Sequence, residues 1–127
     1  MKNFTSSDSS PTENGVNFFY LYNVTNINIS KNLLKSIEDI KIFDTLINLN
    51  ISYNHITDIS VLKNNKSLEV LKANNNIITN ISDLAENNNL TTLDVSENKV
   101  NYPKITMNTL KSLRNLTNLG IKGNPVI

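Results

Sequence analysis

The 127-residue chain contains no cysteine and no tryptophan, and it has only three glycines, three prolines and one histidine. Without cysteine there is no disulfide, no thiol nucleophile and no cysteine-based metal site. A Ser-His-acid triad would depend on His55 alone, which we expect in an exposed turn. The glycines are too few and too scattered for a phosphate-binding loop. The sequence therefore predicts no catalytic site, no metal site and no cofactor.

The charge balance is close to neutral, with 12 basic and 11 acidic residues and a formal net charge of +1. Such a balance provides no field that would select nucleic acid or an anionic membrane. No apolar run approaches the roughly 20 residues that cross a bilayer. We therefore expect a protein partner, with no nucleic acid, membrane span or small-molecule substrate. The lack of cysteine favours a reducing compartment, so we expect the cytoplasm, with the nucleus as an alternative.

Asparagine, in contrast, is abundant, and four asparagines recur at a spacing of 22 residues: Asn32, Asn54, Asn76 and Asn98. Each closes the same aliphatic pattern, L-x-x-L-x-L-x-x-N, with Val or Ile in some of the Leu positions. The pattern begins at Val24, Leu46, Leu68 and Leu90, and a fifth copy begins at Leu116 and ends at Asn124. Five copies in register predict a repeat architecture.

Within each copy the alternation of apolar and polar residues predicts a strand of about three residues with its apolar side chains inward. Stacked strands form a curved parallel sheet on a concave face, and turns or 3-10 segments form the convex face. We thus predict an α/β repeat solenoid. The chain leaves each strand at the recurrent asparagine, and the amide side chain can both donate to and accept from the backbone groups exposed there. The sequence predicts a structural asparagine ladder: Asn32, Asn54, Asn76, Asn98 and Asn124.

The fourth repeat is longer, with 26 residues from Leu90 to Leu116, and its extra residues predict one short convex helix. The turn Asn101-Tyr-Pro103 precedes a segment with leucines at Leu110, Leu113 and Leu116. Thr106 or Asn108 is the expected N-cap.

The predicted organisation has three parts. Residues 1–15 are rich in Ser, Thr, Asp and Asn and are expected to form a disordered leader. Residues 16–23 contain five consecutive aromatic or leucine residues and are expected to cap the first repeat. Residues 24–127 hold the five repeats, starting near 24, 46, 68, 90 and 116, and we expect the repeat region to be truncated at its C-terminal end.

The outward positions of the strands form the expected binding surface. We predict that a partner binds the concave-face residues Lys31, Asn48, Asn50, Tyr53, Lys72, Asn75, Asp94, Glu97 and Lys122. Tyr53 is the one aromatic anchor among them. Lys72 and Asp94 occupy equivalent positions and are expected to form an exposed ion pair. Asn87 is expected in an exposed loop.

These motifs resemble the 22-residue subclass of leucine-rich repeat proteins. The subclass includes the regulatory subunit of protein phosphatase 1, the axonemal dynein light chain of leucine-rich type and the bacterial internalins. The last two patterns, Leu93 to Val100 and Leu119 to Pro125, are most similar to the intracellular members, in which Gly-Asn-Pro opens a closing cap. The resemblance implies a non-catalytic protein-interaction scaffold, as a regulatory or targeting subunit. The alternatives are a secreted or surface adhesin similar to internalins, and a recognition domain of a larger enzyme.

Overall fold

The computed structural model describes residues 2–5 and 23–126, which form a single parallel sheet with an outer layer of short helices. The six strands lie side by side in the order in which they occur along the chain. Each strand after the first comes from one copy of the repeat, so the 22-residue period is converted directly into neighbouring strands. The predicted leucine-rich repeat solenoid is confirmed.

The strands are short, and all but the first are in strict register. Their bounds are β1 Lys2–Thr5, β2 Val24–Asn28, β3 Asn48–Asn50, β4 Val70–Lys72, β5 Thr92–Asp94 and β6 Asn118–Gly120. Leu49 pairs with Ile27 on one side and Leu71 on the other, and the same column continues through Leu93 to Leu119. Equivalent residues of successive repeats therefore lie one strand spacing apart, about 4.8 Å.

The outer layer consists of three 3-10 helices and one α-helix. The 3-10 helices are η1 Glu38–Ile42, η2 Ser60–Asn64 and η3 Ser82–Glu86. A polar side chain begins each one: Ser36 Oγ, Asp58 Oδ1 and Asn80 Oδ1 accept from the backbone N–H two residues later, at 3.2, 2.8 and 2.8 Å. Such local bonds favour a turn at the start of each segment.

The α-helix, α1, spans Pro103–Ser112 and lies in the lengthened fourth repeat, as the sequence predicts. The predicted N-cap is wrong. The helix begins after Tyr102, which is left-handed with φ 61°, and no side chain caps it. Pro103 fits the first turn because its fixed φ is helical and its missing N–H has no intrahelical partner there. Thr106 is instead buried inside the helix, and its hydroxyl donates to the Asn101 carbonyl at 2.8 Å.

The core is a single column of aliphatic side chains between the sheet and the outer layer. Its central repeats are fully buried, with exposed fractions of 0–1% for Leu46, Leu49, Ile56, Leu71, Leu84 and Leu93. The last repeat differs. Leu119 is 45% exposed, and Leu116 and Ile121 are half-buried, because no further repeat among the described residues covers them.

The N-terminal segment departs from the sequence prediction at four residues. The leader 1–15 was expected to be disordered, but Lys2–Thr5 form β1, which pairs in parallel with β2. Asn3, Phe4 and Thr5 lie in register with Asn26, Ile27 and Asn28. An edge strand such as β2 offers unpaired backbone groups, and a short extended segment can satisfy them despite its polar composition. Residues 6–15 and the predicted cap at 16–22 lie outside the described residues.

Candidate functional site

The five recurrent asparagines join successive repeats at the ends of the strands. The Nδ2 of Asn76 donates to Ala73 of its own repeat at 3.1 Å and to Ile51 of the preceding repeat at 3.0 Å. Its Oδ1 accepts from the Ile56 N–H at 3.0 Å. Asn54 and Asn98 make the same cross-repeat bonds. Asn124 continues the series with bonds to Val95 and Val100, and Asn32 starts it by donating to Ile29 and Ser30 of its own repeat.

Two further buried asparagines, which do not belong to the ladder, lie on the other side of the core. The sequence analysis did not identify them. Asn65 donates to the carbonyls of Ile40 and Phe43 at 3.1 and 2.9 Å. Asn87, one period later, donates to Leu62 and Asn65 at 2.8 and 3.0 Å. The prediction that Asn87 is exposed is therefore wrong, since its side chain is completely buried. Asn65 and Asn87 are also 22 residues apart, but each stands in a run of consecutive asparagines, which obscured this spacing.

The residue before each ladder asparagine adopts a left-handed backbone. Lys31, Tyr53, Asn75 and Glu97 have φ between 54° and 60°, and Gly123 has φ 79°. The backbone N–H groups of the first four donate to the next repeat, for example Tyr53 to Asn74 at 3.0 Å and Glu97 to Lys122 at 2.9 Å. A left-handed conformation is unfavourable for residues other than glycine. The cross-repeat bonds hold it here, and they hold these side chains in one row.

The nine predicted concave-face residues fall into two groups. Four are partly buried and are hydrogen-bonded within the protein. Asn48 donates to Asn26 at 2.6 Å, and the Oδ1 of Asn75 accepts from Asn74 at 2.8 Å. The Oδ1 atoms of Asn50 and Asp94 each accept from the backbone and hydroxyl of a serine two residues later. The other five are exposed: Lys31, Tyr53, Lys72, Glu97 and Lys122.

The predicted ion pair between Lys72 and Asp94 does not form. The two residues are register partners on β4 and β5, but the ion pairs in the described part of the chain are Lys41–Glu38 and Lys66–Glu86. The Asp94 carboxylate instead accepts from the Ser96 N–H and hydroxyl at 3.0 and 2.6 Å. These short local bonds hold it in the turn, which leaves the Lys72 ammonium available to a partner.

Glycine in the last repeat leaves two carboxylates close to the backbone. A Cβ placed on Gly120 would lie 2.6 Å from Asp94 Oδ1, and one on Gly123 would lie 2.6 Å from Glu97 Oε1. Asp94 and Glu97 therefore lean over the last strand and its exit, into space that a side chain would occupy in any other repeat. The negative charge of the concave face is concentrated at its C-terminal end.

The described residues contain no grouping of three or more His, Cys, Asp or Glu side chains that could hold a metal ion. His55 is exposed. A polar depression on the convex side is lined by Thr57, Asp58, Ser60, Thr79, Asn80 and Asp83. Hydrogen bonds from the Ser60 backbone and hydroxyl lower the pKa of Asp58. These bonds are part of the turn that starts η2, so they are structural.

Comparison with known proteins agrees with this geometry. A family model described as "Leucine Rich repeats (2 copies)" matches residues 44–86. The described residues thus have the leucine-rich repeat fold. No curated protein matches it. No helix within residues 2–5 and 23–126 has the length and hydrophobicity to cross a membrane.

Three solved structures that resemble this leucine-rich repeat domain are internalins of Listeria monocytogenes. Internalin InlF has 26% identity and a TM-score of 0.77, with 81% of this chain and 30% of that chain covered. Internalin C2 has 27% identity and a TM-score of 0.75, with 82% and 44% covered. The functional domain of InlJ has 30% identity and a TM-score of 0.60, with 73% and 19% covered. The domain thus spans less than half the length of each.

The InlJ structure is described as including a cysteine ladder. The present chain has no cysteine, and asparagine side chains form the row of hydrogen bonds between its repeats. Resemblance to the phosphatase regulatory subunit or to the dynein light chain receives no support from these comparisons.

Proposed function

We propose that this domain is a non-catalytic protein-interaction module that binds its partner on the concave face. The observation that carries the proposal is the division of that face into two groups. The asparagines and Asp94 are engaged in internal hydrogen bonds, so they make a rigid base. Lys31, Tyr53, Lys72, Glu97 and Lys122 project from this base with exposed side chains. A rigid array with few free groups reduces the ordering cost of binding.

Tyr53 is the expected anchor of this surface. It is 51% exposed, its backbone is held in a left-handed turn, and Lys31 and Asn75 are its neighbours in the row. Tyrosine gives a large contact area with few rotatable bonds, and tyrosine anchors are enriched among residues that dominate binding energy. Glu97, one repeat beyond Asn75, supplies a charge that can be inverted without disturbing the core.

The experiment uses a matched pair of variants. A displayed library of genomic fragments from the source organism is selected on the wild-type domain, and purified binders are tested on both variants. Tyr53→Ala with Glu97→Lys is expected to weaken binding by about thirtyfold or more, as truncated anchors typically do. Tyr102→Ala with Lys104→Glu is the control, because Tyr102 matches Tyr53 in exposure, 54%, and in φ, 61°, but lies at the start of α1.

The convex charge reversals Lys63→Glu and Glu86→Lys would be unsuitable as a control. Glu86 forms an ion pair with Lys66 at 3.1 Å, so reversing its charge would place two cations together. If the α1 variant loses the partner and the concave variant keeps it, the concave assignment is wrong. Melting temperatures within a few degrees of the parent establish that both variants are folded.

The cellular role of the domain depends on the compartment in which the protein lies. Two candidate roles differ in that compartment. The cysteine-free sequence favours a regulatory or targeting subunit in the cytoplasm. The similarity to internalins favours a surface adhesin as the second candidate. Protease treatment of intact cells separates them: a cytoplasmic protein is protected until lysis, whereas a surface protein is degraded.

A further inference from the structure

A strip of exposed apolar and aromatic side chains lies beside the concave face, on the side where the chain leaves the strands. It consists of Leu33, Tyr53, His55 and Ile77, which we term the exit-edge patch. Leu33 is 79% exposed, Tyr53 is 51% exposed and Ile77 is 42% exposed, and His55 is also exposed. Single exposed apolar residues are ordinary, but adjacent ones on a rigid surface indicate an interaction site.

Backbone hydrogen bonds place these residues next to one another. The His55 N–H donates to the Leu34 carbonyl at 2.8 Å, and the Ile77 N–H donates to the Ile56 carbonyl at 3.0 Å. Leu33, His55 and Ile77 are therefore equivalent residues of three successive repeats, and Tyr53 lies in the adjoining row. Since each repeat advances by about 4.8 Å, Leu33 and Ile77 are about 10 Å apart.

The charged residues around the patch are mainly basic. Lys31 precedes Leu33 by two residues and Lys35 follows it by two, and both are exposed. Lys99 is the equivalent residue in the repeat after Ile77, as shown by its bond to the Ile78 carbonyl at 2.9 Å. The nearby carboxylate of Glu97 leans over Gly123 in the last repeat, away from the patch. Asp58 and Asp83 lie further round, in the polar depression of the convex side.

We propose that the exit-edge patch binds an extended segment of a partner protein that carries an apolar residue at every third position and acidic residues between them. The proposal rests on the protein-binding function argued above and names the chemistry of the partner. A polyproline II segment presents the same face every three residues at a rise of about 3.1 Å per residue. Its equivalent side chains are thus about 9 Å apart, which matches the separation of Leu33 and Ile77. The acidic residues pair with Lys31, Lys35 and Lys99.

An aromatic residue beside the apolar row fits this mode of recognition. Grooves that bind polyproline II segments are lined by aromatic rings, which pack against the preformed ridge of the ligand. Tyr53 is in that position. An anionic membrane is less suitable as an occupant, because the patch is only three repeats long and Glu97 lies at one end of the adjoining row, which contains Tyr53.

Three labelled peptides test the proposal by fluorescence anisotropy. One consists of three Leu-Pro-Asp units, one of three Leu-Pro-Lys units and one of three Ser-Pro-Asp units. The wild-type domain is expected to bind the first at least about tenfold more tightly than the other two. Leu33→Ser with Ile77→Ser is expected to remove this preference. Leu33→Ser alone, at a residue with almost no packing, is expected to weaken binding in the same direction.

The matched control is Ile105→Ser with Met107→Ser, because these residues of α1 are 50% and 52% exposed. This variant is expected to bind the Leu-Pro-Asp peptide as the wild type does. Equal binding of the three peptides, no binding of any of them, or unchanged binding by the Leu33/Ile77 variant overturns the proposal. So does binding to vesicles of equal parts phosphatidylcholine and phosphatidylserine that the Leu33/Ile77 variant loses.

The two proposals fail in distinguishable ways. If a selected partner is lost with Tyr53→Ala and Glu97→Lys while the Leu33/Ile77 variant retains it, the concave face binds and the exit-edge patch does not. If the Leu-Pro-Asp peptide binds through Leu33 and Ile77 while selected partners ignore Tyr53 and Glu97, the concave assignment fails alone.

Discussion

Asn87 donates a hydrogen bond to the backbone carbonyl of Asn65, the equivalent residue of the preceding repeat, at 3.0 Å. Both side chains are completely buried, and their Oδ1 atoms have no hydrogen-bond partner among the described residues. The convex side of the core thus contains polar groups that are satisfied through their donors only. Buried amides of this kind connect repeats, but they also carry a desolvation cost.

The buried position of Asn87 gives the first prediction. Asn87→Ser removes the hydrogen bonds to the carbonyls of Leu62 and Asn65, which keep one backbone donor each, and the loss is expected to cost about 0.5–1.5 kcal/mol per bond. The neighbouring Asn88 is exposed, so Asn88→Ser is expected to change the free energy of unfolding by less than about 0.5 kcal/mol. Urea denaturation of the two variants measures both values. Equal midpoints would contradict the buried hydrogen bonds of Asn87.

The asparagine ladder gives the second prediction, which compares an inner position with the first. Asn76→Leu leaves the buried Ile56 N–H without its acceptor, at about 1–3 kcal/mol, and also removes the bonds to the Ile51 and Ala73 carbonyls. The side chain of Asn32 donates only within its own repeat and is partly exposed, so Asn32→Leu is expected to cost less. Thermal unfolding ranks the two. A larger loss at Asn32 would show that cross-repeat bonds are not what stabilises the array.

The last repeat is predicted to be the least stable part of the solenoid. Leu93 is fully buried, so Leu93→Ala is expected to cost about 2–5 kcal/mol. Leu119 is the equivalent residue on β6, but it is 45% exposed and its substitution by alanine is expected to cost clearly less.

Hydrogen exchange provides an independent measurement of the same difference. The backbone of residues 105–126 is expected to exchange faster than that of β3 and β4, because β6 is paired on one side only among the described strands. The exposed edge also favours self-association, which analytical ultracentrifugation detects. A monomeric chain with uniform protection from residue 24 to residue 126 would contradict the prediction.

Acid sensitivity is predicted at Asp58. Hydrogen bonds from Ser60 lower its folded-state pKa below the ordinary value of 3.8. The stabilisation is therefore fully present above the unfolded-state pKa and is lost as the pH falls through the folded-state pKa. Asp58→Asn is expected to reduce the loss of stability below about pH 4. An amide can accept the same backbone hydrogen bond as the carboxylate: in the next repeat, the Oδ1 of Asn80 accepts from the Ser82 N–H at 2.8 Å. Unfolding curves between pH 2 and 7 for both proteins measure the effect, and parallel pH profiles would contradict it.

Much of the fold can be predicted from the sequence because the repeat is periodic. The spacing of Asn32, Asn54, Asn76 and Asn98 predicts the strands, their register and the inward residues, all of which depend on local pattern. The errors have a different origin. Asn87 stands in a run of three asparagines, and composition alone does not distinguish the buried one from its exposed neighbours.

The errors at the surface come from competition between local and cross-strand contacts. Lys72 and Asp94 are neighbours in register, as predicted. Ser96, however, lies two residues from Asp94 and donates two hydrogen bonds to its carboxylate. A local hydrogen bond forms at little cost in chain entropy, whereas an exposed ion pair is worth little. The start of α1 was misplaced for a related reason. Pro103 fixes the first turn from within the backbone, and no side-chain cap is needed.

The left-handed residues at the strand exits have a consequence for how the surface can change over generations. Lysine, tyrosine, asparagine and glutamate occupy equivalent positions at Lys31, Tyr53, Asn75 and Glu97, so the backbone there accepts unlike side chains. Its conformation is set by main-chain bonds to the next repeat, which no substitution except proline removes. Selection can therefore change the residue at this one position in each repeat without changing the fold. Duplication of a 22-residue unit would add a further variable position to the row.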